Sequence, residues 1–283
     1  LVAELIEGCH TEGILPLFYH TTLDWFQPSF NDDFDAYLDY LHQSVEVLCT
    51  QYGDIGGLWF DGNWSKPDAD WKEDRLYGMI RKHQPEAMII NNTGLGAKGS
   101  VGHPEIDSVT FEQGRPTPMD RDGMDKYIAA EMCQTFNRHW GIGAEDFNYM
   151  SPPQIIENLS ACRKVGANYL LNVGPTAGGA IPDYESATLR RVGEWIAGQE
   201  QIIYGGKPSA VRGTGADFAL EADGRLYLFV HNLSVGGDAH VTTGGGGAGP
   251  RGFTGVRRSV AAIHWLDNDE ELAHTHDGDS GLL

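Results

Sequence analysis

Short apolar runs with little polar alternation recur along the chain up to about residue 204. They read ILPLFYHT (14–21), IGGLWF (55–60), AMIINN (87–92), DSVTF (107–111) and NYLLNVGP (168–175). Strands that are covered on both faces lose the alternation of polar and apolar residues, as in a parallel sheet. The pattern therefore predicts five parallel strands.

Helical patterns lie between these runs. The segment 32–53 places apolar residues every three or four positions, and 182–199 has the same spacing. A third helix is predicted within 151–166, where Ser151 suits an N-cap and Gly166 suits the end. Strands that alternate with helices indicate an α/β fold.

The pattern changes near Lys207. An alternating segment, DFALEADGRLYLFVHNLSV (217–235), contains an Asp-Gly hairpin signal at 223–224. A glycine-rich loop (244–249) follows, and VAAIHW (260–265) predicts a further strand. The sequence therefore predicts two domains: an α/β domain over 1–204 and a small β domain over 205–283.

Composition narrows the class of partner. The formal charge of −20 argues against nucleic acid or an anionic membrane, because either partner requires a basic face. No apolar run reaches the ~18 residues of a membrane helix. The four cysteines lack the paired spacing of a zinc site, which predicts reduced thiols and a cytoplasmic location.

Chemically active residues fall where the predicted strands end. In a barrel of parallel strands, the site lies at these carboxyl ends. They carry Tyr19, His20, Trp59, Asp61, Asn91, Asn92, Glu112 and Asn172. Aromatic rings stack on sugars, amides bind hydroxyls, and two carboxyl groups can divide the work of glycoside hydrolysis. The residues alone leave two simpler interpretations open, with Asp61 in an ordinary Asp-Gly turn and Trp59 in the core.

Four ordered segments resemble a known family. YHTTLDWFQPSF (19–30), GGLWFDGNW (56–64), EMCQTFNRHWG (131–141) and NYLLNVGPTAGGAIP (168–182) are together similar to the α-L-fucosidases of glycoside hydrolase family 29. The resemblance implies a (β/α)8-type TIM barrel represented by its last five strands, followed by a partial all-β sandwich. It also implies retaining hydrolysis of terminal α-L-fucosyl linkages in an oligosaccharide or glycoconjugate, without a metal or an organic cofactor.

The resemblance also implies roles for single residues. Asp61 takes the position of the family's nucleophile, and the expected substrate-binding residues are Tyr19, His20, Trp59, Glu131 and Trp140. For Trp140, a buried structural indole is the alternative.

The acid/base residue of the family lies some forty to fifty positions after the nucleophile. Glu112 follows Asp61 by 51 positions (112 − 61) and ends a predicted strand, which makes it the first choice. Glu105 precedes that strand and is expected at the wrong end of the sheet. Glu131 is the second choice.

The chain also departs from the family pattern. The earlier strands, with a pair of adjacent pocket histidines, are not represented, and we expect the chain by itself to be inactive. His20 stands where many relatives have tyrosine, and Thr93 where many have arginine. Two alternatives therefore stay open: another retaining glycosidase, such as one acting on α-L-galactosides, and an inactive carbohydrate-binding fragment.

Overall fold

The computed structural model describes residues 1–233, 240 and 249–283. Two compact units form within these residues. The first unit contains Leu1–Thr135 and Ala167–Asn172, and the second contains Phe136–Gly166 and Val173–Leu283. The domain limits of 1–204 and 205–283 stay a prediction.

The first unit contains a curled sheet of six parallel strands, in which each strand lies beside the next one in sequence. The strands are β1 (Leu17–Thr21), β2 (Gly57–Asp61), β3 (Met88–Asn92), β4 (Ser108–Thr110), β5 (Ala129–Thr135) and β6 (Asn168–Asn172). The prediction of parallel strands is confirmed, and the predicted number of five is wrong.

Strand β5 is the one that the apolar pattern missed. Its sequence, AAEMCQT, places Glu131 and Gln134 among apolar residues, so that no apolar run stands out. Glu131, Met132 and Cys133 are nevertheless all buried, because both faces of this strand are covered. A polar residue in such a strand has a specific partner, and Glu131 has two, as the site shows.

Helices of the first unit pack their apolar faces against the sheet strands. They are α1 (Val2–Thr11), α2 (Ser29–Asp32), α3 (Phe34–Gln51) and α4 (Glu73–His83). The predicted helix α3 is confirmed: Asp33 caps its start by accepting a hydrogen bond from the backbone N–H of Ala36 at 3.1 Å. Its buried stripe, which includes Leu41 and Val45, joins Leu58 and other strand residues in one core.

The second unit combines helices with a four-stranded antiparallel sheet of order β10-β7-β8-β9. Its elements are α5 (Pro152–Val165), α6 (Asp183–Ala197), α7 (Glu200–Gly205), β7 (Lys207–Gly213), β8 (Phe218–Ala222), β9 (Arg225–Phe229) and β10 (Phe253–Thr254). The predicted limits of α5 are confirmed, because Gln154 accepts from the backbone N–H of Ser151 and Gly166 ends the helix at φ 72°.

The predicted hairpin is confirmed as well. Strands β8 and β9 are joined by Asp223 and Gly224, and both residues have positive φ. A two-residue turn needs positive φ at both positions if its twist is to match the twist of the two strands. The strand predicted at 260–265 is wrong: among the described residues it makes only an isolated bridge, His264 with Glu271. Of the predicted glycine loop, residues 244–248 lie outside the described part of the chain. In that part, no helix has the length and apolar character needed to cross a membrane.

Candidate active site

The register of the parallel sheet aligns polar residues on one face. Asp61 pairs along the backbone with Thr21 on one side and with Asn92 on the other. Glu131 pairs in the same way with Thr110 and with Asn168. The first row lies at the carboxyl ends of β1, β2 and β3, whereas Glu131 lies within β5 and Asn168 begins β6. Because backbone-paired residues of neighbouring strands share a face, each row brings carboxylates and amides together.

Asp61 accepts hydrogen bonds from three side chains. The hydroxyl of Tyr19 donates to Oδ2 at 2.8 Å. Oδ1 accepts from the indole Nε1 of Trp64 at 2.7 Å and from Nδ2 of Asn92 at 3.2 Å. Hydrogen bonds to a carboxylate are short and strong, so the three donors fix the direction of both oxygens.

A tight turn after Asp61 makes this arrangement possible. Gly62 has φ 131°, a conformation that residues with a Cβ rarely adopt, and an added Cβ would lie 2.5 Å from the backbone nitrogen of Leu23. The following 3-10 turn, Asn63–Ser65, carries Trp64 back towards the carboxylate. The Asp-Gly pair is therefore both a turn and part of the site, and the two interpretations do not compete.

Glu112 is held at the end of β4 by the neighbouring strand. The backbone N–H of Phe111 donates to the carbonyl of Glu131 at 2.7 Å, and that of Gln113 donates to Cys133 at 2.8 Å. These bonds flank Glu112 and extend the β4–β5 pairing past the strand. Its Oε2 accepts a hydrogen bond from Nδ2 of Asn92 at 2.8 Å.

Asn92 thus joins the two carboxyl groups through one nitrogen. The orientation of its amide is fixed, because its Oδ1 accepts from the hydroxyl of Thr110 at 2.8 Å and from the backbone N–H of Gly94 at 3.2 Å. The residue is only 3% exposed. The two distances from Nδ2 limit the separation of the bonded oxygens of Asp61 and Glu112 to about 6 Å.

A second group of side chains supports Tyr19. The ring of Tyr19 stacks on Trp59, with the centroids 5.6 Å apart and an interplanar angle of 23°. The indole Nε1 of Trp59 donates to Oε1 of Glu131 at 2.9 Å. Oε2 of Glu131 accepts from Nδ2 of Asn168 at 2.7 Å. Trp59 is therefore more than a core residue, since its polar atom has a specific partner.

Charge and burial at this site act on two neighbouring groups. Burial, the hydrogen bond to Asp61 and the charges of Asp61 and Glu112 raise the pKa of Tyr19. The pKa of the Cys133 thiol is raised to about 12, first by burial and then by the charges of Glu112, Glu131 and Asp61. The same three carboxyl groups therefore disfavour ionisation of the Cys133 thiol.

The structure does not bring His20 to this face. Its Nε2 lies 2.9 Å from the hydroxyl of Ser44 on α3, and its Nδ1 lies 2.8 Å from the carbonyl of Thr21. Consecutive residues of a strand point to opposite faces, so His20 cannot share the face of Tyr19. This placement contradicts the predicted role of His20 in substrate binding.

Trp140 lies in the second unit, between β5 and α5 in sequence. It is 46% exposed, so the alternative that it is a buried structural indole is wrong. Its predicted role in the pocket stays a prediction.

Glu105 lies before β4 and is bound to cations. Its Oε2 accepts from Nε of Arg81 at 2.8 Å, while its carbonyl accepts from Lys126 at 3.0 Å. These contacts lie at the amino ends of the strands, as the sequence predicted, and leave Glu105 far from the row that contains Asp61.

The sequence named Asn92 only as one of several polar residues at strand ends, and it gave Trp64 no role. Trp64 stands three positions after Asp61, a spacing at which a 3-10 turn brings side chains together. Asn92 ends the strand next to β2, and the register pairs it with Asp61. The sequence positions of Trp64 and Asn92 are thus compatible with contacts to Asp61. The hydrogen bonds themselves depend on side-chain directions, which sequence spacing does not predict.

Among residues 1–233, 240 and 249–283, no group of three or more His, Cys, Asp or Glu side chains could hold a metal ion. The prediction that no metal or organic cofactor takes part stays a prediction.

Comparison with known proteins defines the class. Residues 1–201 match the family model described as alpha-L-fucosidase. The tissue alpha-L-fucosidase of Bos taurus is 26% identical over 222 residues, which cover 75% of this chain and 46% of that protein. The solved structure of alpha-L-fucosidase isoenzyme 1 from Paenibacillus thiaminolyticus is 29% identical, with a TM-score of 0.73, and the match covers 99% of this chain and 68% of that one.

A further solved structure is similar in fold. It is an alpha-L-fucosidase from Lactobacillus casei in complex with its α-L-fucose product, 22% identical with a TM-score of 0.54, covering 71% of this chain and 66% of that one. The chain belongs to the α-L-fucosidase family. It spans about half the length of the curated relatives that it matches.

Proposed function

We propose that the protein is a retaining α-L-fucosidase, which hydrolyses terminal α-L-fucosyl linkages of oligosaccharides or glycoconjugates. The observation that carries this proposal is the pair of carboxyl groups, Asp61 and Glu112, bridged by the amide of Asn92. Retaining glycosidases keep the two groups ~5–5.5 Å apart, and inverting ones ~6.5–9.5 Å. The limit of about 6 Å on the bonded oxygens supports the retaining distance.

In the first step, an oxygen of Asp61 attacks the anomeric carbon and forms a covalent bond to it. The bond from that carbon to the glycosidic oxygen breaks, and protonated Glu112 transfers its proton to the departing oxygen. The donors from Tyr19, Trp64 and Asn92 hold Asp61 in place, so that little reorganisation is needed when it attacks.

In the second step, Glu112 as a carboxylate takes a proton from water. The resulting hydroxide equivalent attacks the anomeric carbon, the bond to Asp61 breaks, and fucose leaves with its original configuration. The exposed rings of Tyr19 and Trp64 beside Asp61 offer apolar surface to the C–H face of the sugar. The partner that this site suits is a neutral fucosylated glycan, and the fucose bound to the Lactobacillus casei relative supports that substrate class.

We propose further that the parallel sheet belongs to a (β/α)8-type barrel, and the antiparallel sheet to a β-sandwich. Support for the barrel comes from the edges of the sheet: in the described chain, β1 pairs only with β2, and β6 only with β5. Leu17 on β1 is 43% exposed. Edges of this kind accept further strands. We also propose a cytoplasmic location, which suits the finding that none of the four cysteines in the described chain forms a disulfide.

The alternative is an inactive carbohydrate-binding fragment, which the open edges and the half-length match favour. An assay with a chromogenic α-L-fucoside separates the fucosidase from the inactive fragment. It is applied to the 283-residue chain and to the protein as its gene encodes it, which we call the encoded protein. We expect activity in the encoded protein and none in the isolated chain, whereas the alternative predicts that neither hydrolyses the fucoside. Preference for the matching α-L-galactoside would move the assignment to that sugar.

The role of Asp61 is tested in the encoded protein. Asp61→Gly should lower kcat by several orders of magnitude, and added azide should restore part of it as the small anion replaces the carboxylate. Asp70→Gly, at an exposed acid of the same segment, is the matched control and should leave kcat unchanged. Near-normal activity of Asp61→Gly contradicts the proposal.

A further inference from the structure

The indole of Trp59 is held on two sides by side chains from other strands. Its ring stacks on Tyr19 from β1, and its Nε1 donates to Glu131 from β5. Trp59 stands two positions before Asp61 on β2, so both side chains extend from the same face. The position of this indole therefore affects the phenol that donates to Asp61.

Glu131 is a buried carboxylate, only 7% exposed, and both of its oxygens are occupied. Oε1 accepts from Trp59 at 2.9 Å and Oε2 accepts from Asn168 at 2.7 Å. Both donors are neutral. Burial of a carboxylate costs free energy that neutral partners only partly offset, so a glutamate here calls for a reason beyond stability.

A proton donor for the leaving group needs an oxygen that faces the glycosidic bond. Glu131 does not meet this need without rearrangement, because the residue is 7% exposed and each of its oxygens already accepts a hydrogen bond, one from the indole of Trp59 and one from the amide of Asn168. The backbone register fixes the residue further, since Glu131 pairs with both Thr110 and Asn168. The contacts suit a residue that acts on its neighbours.

We propose that Glu131 is a positioning residue: its Oε1 fixes the indole of Trp59, and the Trp59–Tyr19 stack passes this orientation to the hydroxyl that donates to Asp61. Glu131 then controls the direction of the attacking carboxylate without exchanging a proton with the substrate. The kinetic part of this inference rests on the proposed function, whereas the indole contact does not.

The indole contact is tested by NMR on the ¹⁵N-labelled 283-residue chain and the encoded protein. Trp59→Phe assigns the indole N–H cross-peak, which should lie downfield and exchange slowly. In Glu131→Ala the peak should move upfield and its hydrogen exchange should accelerate at least tenfold, and in Glu131→Gln it should stay close to its original position. An unchanged peak in Glu131→Ala overturns the inference regardless of activity.

Kinetics in the encoded protein test the role. Glu131→Gln keeps an oxygen for Trp59 and should retain kcat/KM within about tenfold of the starting value. Glu131→Ala should lower kcat/KM by about 10- to 100-fold, equally for aryl fucosides and disaccharides. Combined with Trp59→Phe, it should lower kcat/KM less than twofold further, because both substitutions remove the same contact. If Glu131→Ala fails to fold, the test compares the kcat/KM of Glu131→Gln with the values for Asn168→Ala and Trp59→Phe instead.

Opposite results reassign the residue. An acid/base role predicts that Glu131→Gln is as impaired as Glu131→Ala, that poor leaving groups suffer far more than activated ones, and that azide rescues the variant. Any of these three outcomes contradicts the positioning role. Complete inactivity of the unmodified encoded protein refutes the proposed function instead, and leaves the NMR result to decide the contact.

Discussion

The hydroxyl of Tyr19 donates a 2.8 Å hydrogen bond to Oδ2 of Asp61, across 42 positions of sequence and between neighbouring strands. Trp64 and Asn92 donate to the other oxygen, Oδ1. Together the contacts leave the carboxylate little freedom to rotate.

If the proposed function holds, removal of this hydroxyl should slow fucoside hydrolysis by the encoded protein without unfolding it. A hydrogen bond to a charged group contributes about 1.5–3 kcal/mol, so Tyr19→Phe should lower kcat/KM by about 10- to 100-fold. Because burial and the neighbouring carboxylates raise its pKa, Tyr19 keeps its proton at neutral and moderately alkaline pH. The pH profiles of the two proteins should therefore run parallel up to about pH 10. Tyr40→Phe, at an exposed helical site, is the control.

Asn92 should matter for both carboxyl groups. Asn92→Ala removes donors to Asp61 and to Glu112, and should reduce kcat by about 10²- to 10³-fold. Asn92→Asp replaces the donor by a third carboxylate, and the repulsion should make it at least as impaired. Steady-state kinetics with activated and poor leaving groups check this, and a loss below threefold in Asn92→Ala would show that the bridge has no kinetic role.

Gly62 is required by its backbone and by its surroundings. At φ 131° a side chain is strained by about 1–3 kcal/mol, and a Cβ would also meet Leu23 and Thr22. Gly62→Ala should therefore lose at least that much unfolding free energy in urea. Gly78→Ala, in helix α4 with open space around it, should gain about 0.5–1 kcal/mol. Equal effects of the two variants would refute this account of the turn.

An ion-pair network at the amino ends of the strands predicts sensitivity to acid. Burial opposes ionisation of Asp107, but hydrogen bonds from Lys126 and Arg81 lower its pKa overall. A lowered carboxyl pKa contributes stability above the unfolded value of about 3.9, and the contribution disappears as pH falls through the folded value.

Asp107→Asn should therefore cost about 1–3 kcal/mol at pH 7, and the difference from the unmodified protein should shrink below about pH 4. Urea unfolding at a series of pH values measures this. Asp39→Asn, which breaks an exposed pair with Arg75, should cost less than ~0.5 kcal/mol at every pH. A difference for Asp107→Asn that grows as the pH falls contradicts the assignment.

The sequence predicted elements with clear periodicity and missed those that depend on partners. Helix α3 and the β8–β9 hairpin carry strong local signals, and both were confirmed. Strand β5 was missed because its buried glutamate breaks the apolar run, although that glutamate has its partners in β2 and β6. Burial of a polar residue can be explained only once its partner is known.

The candidate site shows the same division. Asp61 stood out through its segment, and the position of Glu112 after β4 was inferred from spacing. Both His20 and Tyr19 were predicted to bind the substrate, although they are consecutive residues of one strand. Side chains alternate between the two faces of a strand, so the sequence already indicated that both could not face the same site. The contact from Trp64 depends on the turn at Gly62, and no periodicity encodes that geometry.

Trapping of the covalent intermediate tests the central claim most directly. The encoded protein is incubated with 2-deoxy-2-fluoro-α-L-fucosyl fluoride, which forms the glycosyl-enzyme readily and releases it slowly. Peptide mass spectrometry should then find one fluorofucosyl group on Asp61, and Glu112→Ala should still accept it, because fluoride leaves without a proton. A label on any other residue, Glu131 and Glu112 included, or turnover without a covalent adduct, would contradict the account.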